Sequence, residues 1–291
     1  MGDSNIVSSI GNAARTGKTH YLNPRFAGNA ASLGLLEKFV PQEKIGKNGK
    51  PSVIRDERLA RIEAQFLKFS ALADGEKDCA KSYRRAVKCF YGTDCTAEDV
   101  AKFSLRLGEL WQADVDGRAA GLFISAMINT SKERTFEVFT SHLDGKVDCI
   151  GWSNRGKEIV VRGDAGEGLG RYMRRGSIVA EGNAGDYVGL RMKGGRIEVK
   201  GDALRNAGAH KTGGDIIIFG NAGCDAGLEM RGGLVHVMGN AGEYIGSGMH
   251  GGILRVDGRA AKLGRVIYGG DIFVGNDRIV ENGKKLASCL G

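Results

Sequence analysis

The chain has 291 residues, with 47 glycines, three prolines and a formal net charge of +8. The glycines do not recur at every third position, which excludes collagen, and a hydrophobic content of 42% excludes a chain too polar to build a core. No run approaches the roughly 20 apolar residues that a membrane span needs, so we expect a cytoplasmic protein without a membrane segment.

The positive charge is spread along the whole chain. Residues 1–150 hold 22 Lys and Arg against 19 Asp and Glu, and residues 151–291 hold 20 against 15. No basic run is interleaved with aromatic residues, which disfavours nucleic acid as a partner and leaves an anionic protein or ligand open. The six cysteines show neither C-x-x-C pairs nor iron–sulfur spacing, so we expect reduced, mostly buried thiols.

The amino-terminal stretch is rich in Gly, Asn, Ser and Lys and lacks hydrophobic periodicity. We therefore predict an extended or flexible arm over residues 1–55. Within it, the segment from Gly11 to Thr19 nearly spells a phosphate-binding loop. That loop requires glycine where this chain has Asn12, and no βαβ alternation follows, so we predict no nucleotide site there.

From residue 56 the hydrophobic period changes to that of a helix, which predicts a helical cap region over residues 56–150. Thr96 is a predicted N-cap. The stretch Gly117 to Thr130 is apolar on most sides and predicts a buried helix. The predicted helices are Asp56 to Gly75, Lys77 to Phe90, Ala97 to Trp111 and Gly117 to Thr130, and a strand near Phe136 to Phe139 follows them.

Residues 151–276 repeat with a period of 19 residues, and the unit reads G-[N/D]-A-G-x-x-x-G-x-x-M-x-G-G. A period this regular decides the architecture. We expect the first glycine of each unit to supply a positive φ at a structural corner, and the neighbouring Asp or Asn to bond local backbone amides. These predicted corners are Gly163, Gly182, Gly201, Gly220, Gly239 and Gly258.

Each unit also contains a segment of period-2 alternation, which is typical of a strand with one buried face. The aliphatic positions of successive units align in columns that we expect to point inward. The fold class predicted is therefore mainly β: a right-handed parallel β-helix of about seven coils over residues 151–276. Because the open ends of such a stack need covering, we assign residues 56–150 to one end and residues 277–291 to a carboxy-terminal cap.

The unit resembles the glycine-rich GXGXG repeat family, on the residues Gly182-Asn183-Ala184-Gly185, Gly189, Met192 and Gly194-Gly195. That family is a right-handed parallel β-helix. It includes the glycine-repeat subunit of formylmethanofuran dehydrogenase, a related subunit of the bacterial formyltransferase/hydrolase complex, and the carboxy-terminal domain of the glutamate synthase large subunit. The likeness covers about residues 155–276, and the consensus sequence of the repeat is most similar to that of the formylmethanofuran dehydrogenase subunit.

The resemblance implies a noncatalytic scaffold subunit of a multi-subunit oxidoreductase or formyl-transfer complex in one-carbon metabolism. Its partner subunits would carry the molybdenum or tungsten pterin, zinc and iron–sulfur clusters, and this chain would hold no cofactor, metal or catalytic residue. Two alternatives stay open. One is a glutamate synthase-like coupling or assembly module, and the other is a stand-alone or self-associating protein that binds an anionic partner.

The third coil departs most from the repeat. Lys211 occupies the column position that is otherwise methionine, and a lysine there must either extend outward or meet an anion, because an unpaired buried charge is costly. We therefore predict that Arg205, His210 and Lys211 contact a partner or an anionic ligand. The five histidines form no zinc-binding motif, and no G-x-S-x-G elbow is present.

Overall fold

The computed structural model describes residues 56–73, 78–111 and 116–286. The predicted arm, the end of the first predicted helix at Gly75 and residues 287–291 of the predicted cap lie outside these ranges. The described residues all belong to one compact unit, so the helices and the repeats form a single body. Among the described residues, no helix combines the length and apolarity needed to cross a membrane.

Four helices precede the repeats in the described part of the chain. They are α1 (Glu57–Ala73), α2 (Cys79–Cys89), α3 (Ala97–Trp111) and α4 (Gly117–Thr130). The predicted N-cap of α3 is confirmed, because the Thr96 Oγ1 accepts a hydrogen bond from the Asp99 N–H at 3.1 Å. The Asp99 carboxylate accepts from the Thr96 N–H in return, at 2.8 Å, which completes a capping box.

Phe123 of α4 is the centre of the helical core. Its ring lies between 4.9 and 5.6 Å, centroid to centroid, from four other phenylalanine rings: Phe66, Phe69, Phe90 and Phe103. All of α4 from Ala119 to Ile128 is buried, which confirms the prediction of a buried helix. Its backbone approaches the first coil so closely that a Cβ on Gly121 would lie 1.6 Å from the Asp148 carbonyl oxygen.

The repeats form a β-solenoid of about seven turns. Strands β1 to β8 pair in parallel, each with the next, in one ten-stranded sheet whose spatial order follows the chain. The strands are β1 (Thr135–Phe139), β2 (Arg155–Arg162), β3 (Arg175–Ala180), β4 (Arg196–Val199), β5 (Asp215–Ile218), β6 (Leu234–Val237), β7 (His250–Val256), β8 (Gly269–Val274), β9 (Asp277–Glu281) and β10 (Lys284–Lys285).

The register confirms the 19-residue coil. Ile178 pairs with Ile197, and Ile197 pairs with Ile216. The predicted inward columns fill the interior. Side chains with no exposed surface include Ile178, Ile197, Ile216, Val235, Leu254 and Ile272 in one column, and Met173, Met192, Met230 and Met249 in another. Stacking of like side chains on adjacent coils therefore builds a dry core.

A ladder of Asp and Asn side chains joins the coils. The Oδ1 of each accepts a hydrogen bond from the backbone N–H of the residue 19 positions later, rather than from a local amide as expected. The pairs are Asp164 with Asn183 at 2.8 Å, Asn183 with Asp202 at 2.8 Å, Asp202 with Asn221 at 2.6 Å, Asn221 with Asn240 at 2.9 Å and Asn240 with Arg259 at 2.8 Å.

This ladder corrects the role predicted for the first glycine of each unit. Of the six predicted corners only Gly163 has a positive φ. At Gly182, Gly201, Gly220, Gly239 and Gly258 an added Cβ would lie 2.2 to 2.7 Å from an Oδ1 of the ladder, so glycine is needed there for space. The left-handed conformation occurs at a second set with φ between 64° and 74°, namely Gly170, Gly189, Gly208, Gly227 and Gly246.

Other elements of the described chain contact each end of the solenoid. At the amino-terminal end, the Ser104 hydroxyl of α3 accepts the Phe139 N–H of β1 at 3.0 Å. At the other end, β9 turns back antiparallel to β8, and β10 pairs antiparallel with β9. Residues 277–286 thus end the parallel stack with a hairpin, as the predicted cap requires.

Candidate functional site

Lys211 points into the solenoid. Its side chain has no exposed surface, and it occupies the methionine column. The ammonium donates hydrogen bonds to three backbone carbonyls: Gly214 at 2.6 Å, Gly232 at 3.1 Å and Leu234 at 3.2 Å. Burial lowers the pKa of Lys211 to about 8, while the negative charge of Asp215 opposes that shift.

The expectation for Lys211 is therefore corrected. The lysine neither extends outward nor meets an anion, because three main-chain carbonyls satisfy its three N–H donors inside the coil. A partner on the outer surface cannot reach this ammonium. Sequence reasoning identified the unusual residue but not the carbonyls, since their convergence depends on how the third and fourth coils stack.

The other two residues of the predicted contact lie outside, in different surroundings. The His210 Nδ1 lies 3.2 Å from a carboxylate oxygen of Glu229 on the next coil. Arg205 is exposed, and its backbone N–H donates to the Asp186 carboxylate at 2.7 Å. The preceding positions of the Arg205 column are acidic as well, at Glu167 and Asp148. The structure thus does not bring Arg205, His210 and Lys211 together as one cluster.

A different column of exposed positions lies on the same turn of successive coils, and three of its five side chains are Lys or Arg. The position after each column methionine, or after Lys211, is exposed in five consecutive coils, where the residues are Arg174, Lys193, Thr212, Arg231 and His250. Backbone hydrogen bonds between adjacent coils fix these positions. For example, the Lys193 N–H donates to the Met173 carbonyl at 2.8 Å, and the Arg231 N–H donates to the Lys211 carbonyl at 2.8 Å.

Two further arginines adjoin this column. Arg175 is exposed and immediately follows Arg174, and exposed Arg191 precedes Lys193 by two residues. The Arg191 guanidinium lies 5.9 Å from the Tyr172 ring centroid and donates to the Tyr172 hydroxyl at 3.4 Å. We call the five exposed cations Arg174, Arg175, Arg191, Lys193 and Arg231 the basic face.

The basic face lacks counter-charges. None of its five cations forms an ion pair with a carboxylate among residues 56–73, 78–111 and 116–286, whereas several other cations of the solenoid do. Arg196 pairs with Glu198 at 2.8 Å, and Arg255 pairs with Asp257 at 2.8 Å. The basic face could have been found in the sequence, because cations recur there at multiples of 19 residues. They are Arg174, Lys193 and, two coils later, Arg231.

A shallow depression of about 370 Å³ adjoins the carboxy-terminal end of the same column. Its lining includes Glu229, Ser247, His250, Arg265 and Tyr268. The His250 and Tyr268 rings stack with centroids 4.7 Å apart and an interplanar angle of 15°. The described residues contain no group of three or more His, Cys, Asp and Glu side chains placed to hold a metal ion.

No protein-family model matches this chain, and a search of curated proteins finds no match. The fold defines the class: a β-solenoid protein with a helical amino-terminal layer. On the described surface, the basic face is the feature best suited to binding another molecule.

Proposed function

We propose that this chain is a noncatalytic scaffold subunit of a multi-subunit complex, and that it holds its partners through the outside of the solenoid. The resemblance of its repeat to the glycine-repeat subunit of formylmethanofuran dehydrogenase supports an oxidoreductase or formyl-transfer complex of one-carbon metabolism. The partner subunits would then carry the pterin metal, zinc and iron–sulfur chemistry.

The observation that carries this proposal is the basic face on a rigid stack. The interior beneath it is filled, with Met173, Met192 and Lys211 fully buried. The exposed positions are held in register by backbone hydrogen bonds between coils, at a spacing of about 4.8 Å. Contacts with other molecules therefore fall on the outside, where side chains have a fixed geometry before binding, which lowers the entropic cost of association.

Charge complementarity favours an acidic surface as the partner. Exposed cations without ion pairs raise the rate of encounter with an anionic surface and fix its orientation. In a scaffold, a row of such cations would place an acidic subunit at a defined height along the solenoid.

Affinity purification from the native cell, followed by mass spectrometry, tests the proposal. We expect molybdopterin-dependent and amidohydrolase subunits to copurify with the wild-type chain. We expect their loss with a variant that carries Arg174→Glu and Lys193→Glu. A control variant with Arg205→Glu and Arg259→Glu changes two exposed arginines outside the basic face and should retain the partners.

The result also discriminates the alternatives. A glutamate synthase or glutaminase chain among the copurified proteins favours the coupling and assembly module. A lone homo-oligomer that still binds polyanions through Arg174 and Lys193 favours the stand-alone anion-binding protein. Catalytic turnover by the isolated chain would overturn the scaffold proposal.

A further inference from the structure

The depression beside the basic face coincides with a side chain that one coil lacks. The position just before each column methionine, or before Lys211, is left-handed in successive coils. Four coils carry a side chain there, with φ between 47° and 60°: Tyr172, Arg191, His210 and Glu229. In the next coil the residue is Gly248, with φ of +65°, and it lines the depression. A Cβ on Gly248 would lie 3.0 Å from the Glu229 Cγ, so the missing side chain leaves this space open.

The backbone around the depression is held by hydrogen bonds to neighbouring segments. The Gly248 N–H donates to the Val266 carbonyl at 2.8 Å, and the Tyr268 N–H donates to the Met249 carbonyl at 2.8 Å. The Lys285 ammonium of the terminal hairpin donates to the Arg265 carbonyl at 3.3 Å. The walls therefore have a fixed geometry before anything binds, which lowers the entropic cost of association.

The lining of the depression suits an aromatic side chain. Tyr268 is 66% exposed although its ring stacks on that of His250, so the Tyr268 ring has surface left for a further aromatic contact. Val266 beside it is 51% exposed. The Ser247 hydroxyl and the Glu229 carboxylate also line the depression and are acceptors for an indole N–H. A volume of about 370 Å³ is at the lower end of the range for ligand pockets, which favours one side chain over a large ligand.

The charges around the depression continue those of the basic face. Arg265 is exposed and forms no ion pair with a carboxylate in the described part of the chain. The Glu229 carboxylate lies 3.2 Å from the His210 Nδ1, so it has a partner within the solenoid. From Arg174 to His250 the column advances by four coils, or roughly 19 Å at about 4.8 Å per coil. An extended peptide covers that distance with about six residues.

The placement of aromatic residues favours a peptide over a nucleic acid. Proteins that bind single-stranded nucleic acid stack successive bases on aromatic side chains along a basic groove. Here the column contains no aromatic residue from Arg174 to Arg231. The nearby Tyr172 ring is already in contact with two guanidinium groups, at 5.5 Å from Arg171 and 5.9 Å from Arg191. One exposed aromatic platform at one end of a row of cations suits an acidic peptide with a single aromatic residue beside its acidic run.

We propose that the depression binds a tryptophan side chain of an extended, acidic partner segment whose carboxylates lie along the basic face. This inference rests on the proposed function, in which an acidic partner binds that face. The tryptophan ring stacks on Tyr268, and the acidic run meets Arg174, Lys193 and Arg231. Cations at regular intervals attract an acidic segment but do not fix its position along the solenoid axis. The aromatic anchor supplies that position, because it fits at one coil only.

Isothermal titration calorimetry of the full chain at low salt tests the anchor with two peptides of equal charge. Each peptide contains a run of about six alternating Asp and Glu residues, the length that spans the column. One carries tryptophan at both ends and the other carries alanine at both ends, so the direction of binding does not matter. We expect the tryptophan peptide to bind about tenfold more tightly. Equal affinities for the two peptides would overturn the inference.

Variants locate the anchor. Gly248→Asn fills the depression, and the fold accommodates it because four preceding coils hold a side chain at that left-handed position and asparagine tolerates it. Tyr268→Ala removes the stacking surface. Each variant should abolish the preference for tryptophan and leave the affinity for the alanine peptide unchanged. Tyr91→Ala removes another exposed aromatic ring, 75% exposed in the helical layer, and is the matched control that should keep the preference. A preference that survives both Gly248→Asn and Tyr268→Ala would overturn the inference.

A basic-face variant separates this inference from the proposed function. Arg174→Gln with Lys193→Gln should weaken both peptides by the same factor and leave the tryptophan preference intact. If both peptides are weakened but wild type shows no preference, the anchor is wrong and the basic face still stands. If neither peptide is weakened, the proposed use of the basic face is contradicted. A single-stranded oligonucleotide of equal charge that binds more tightly than the tryptophan peptide, and loses affinity with Tyr268→Ala, would overturn the choice of a peptide.

Discussion

The Lys211 ammonium lies 2.6 Å from the Gly214 carbonyl oxygen, inside a column that the flanking coils fill with methionine. Among the described residues, no carboxylate forms a hydrogen bond with this fully buried cation. Carbonyl dipoles satisfy the N–H groups, but they do not replace the hydration of a full charge.

We expect Lys211→Met to raise the free energy of unfolding by about 1 to 3 kcal/mol at pH 7. The pKa of Lys211 falls from 10.5 to about 8 on folding, so the charged form is penalised in the folded state by roughly 3 kcal/mol. Between pH 8 and 10.5 the unfolded chain binds a proton there that the folded chain has lost, so wild-type stability rises with pH. The advantage of the variant should therefore be full below pH 8 and shrink above it.

Urea unfolding from pH 6 to 10.5 measures this effect. The matched control is Met192→Lys, which places a second lysine in the same column one coil earlier and should destabilise the protein by at least about 2 kcal/mol. A Lys211→Met variant that is less stable than wild type at pH 7 would show that the three carbonyl bonds outweigh the desolvation of the ammonium. Copurification of partners should be unaffected by Lys211→Met, because the residue is not on the surface.

The Asp and Asn ladder makes a second prediction. Asn240→Ala removes the acceptor for the Arg259 N–H, which lies 2.8 Å from the Asn240 Oδ1, and should cost about 1 kcal/mol of unfolding free energy. Asn240→Asp retains the acceptor and serves as the control, with a smaller change expected in the urea midpoint. If the alanine and aspartate variants are equally destabilised, the hydrogen bond is not the cause.

The close approach of Gly220 to the ladder leads to a third prediction. Gly220→Ala places a Cβ 2.2 Å from the Asp202 Oδ1 and 2.8 Å from the Gly201 carbonyl oxygen, and it should cost about 3 kcal/mol through overpacking. Gly275 has a φ of +60°, and none of the described residues places a heavy atom within 4 Å of an added Cβ. Gly275→Ala should therefore cost only the 1 to 2 kcal/mol or so of a left-handed L-residue. The reverse order of the two losses would contradict close approach as the reason for glycine at position 220.

The sequence predicted the coil accurately because its determinants are local and repeated. Ile178 and Ile197 mark the register directly, and α4 has the predicted bounds because its apolar run ends where Ser131 and Lys132 begin. The role of Gly220 was misread, since the repeat shows where glycine stands but not whether φ or space requires it. The three carbonyls that accept from the Lys211 ammonium could not be predicted, because they come from two coils that meet only when the chain has stacked.

The basic face makes the last prediction. Poly-L-glutamate is a defined acidic probe whose binding can be followed by fluorescence anisotropy at low salt. Replacing two exposed cations with Arg174→Gln and Lys193→Gln should weaken binding about fivefold to thirtyfold, since each exposed charge contributes roughly 0.5 to 1 kcal/mol. The control variant Arg205→Gln with Arg259→Gln has the same net charge but leaves the basic face intact, so its affinity should change much less. Equal losses in the two variants would mean that net charge alone attracts the probe, and the basic face would then have no special role.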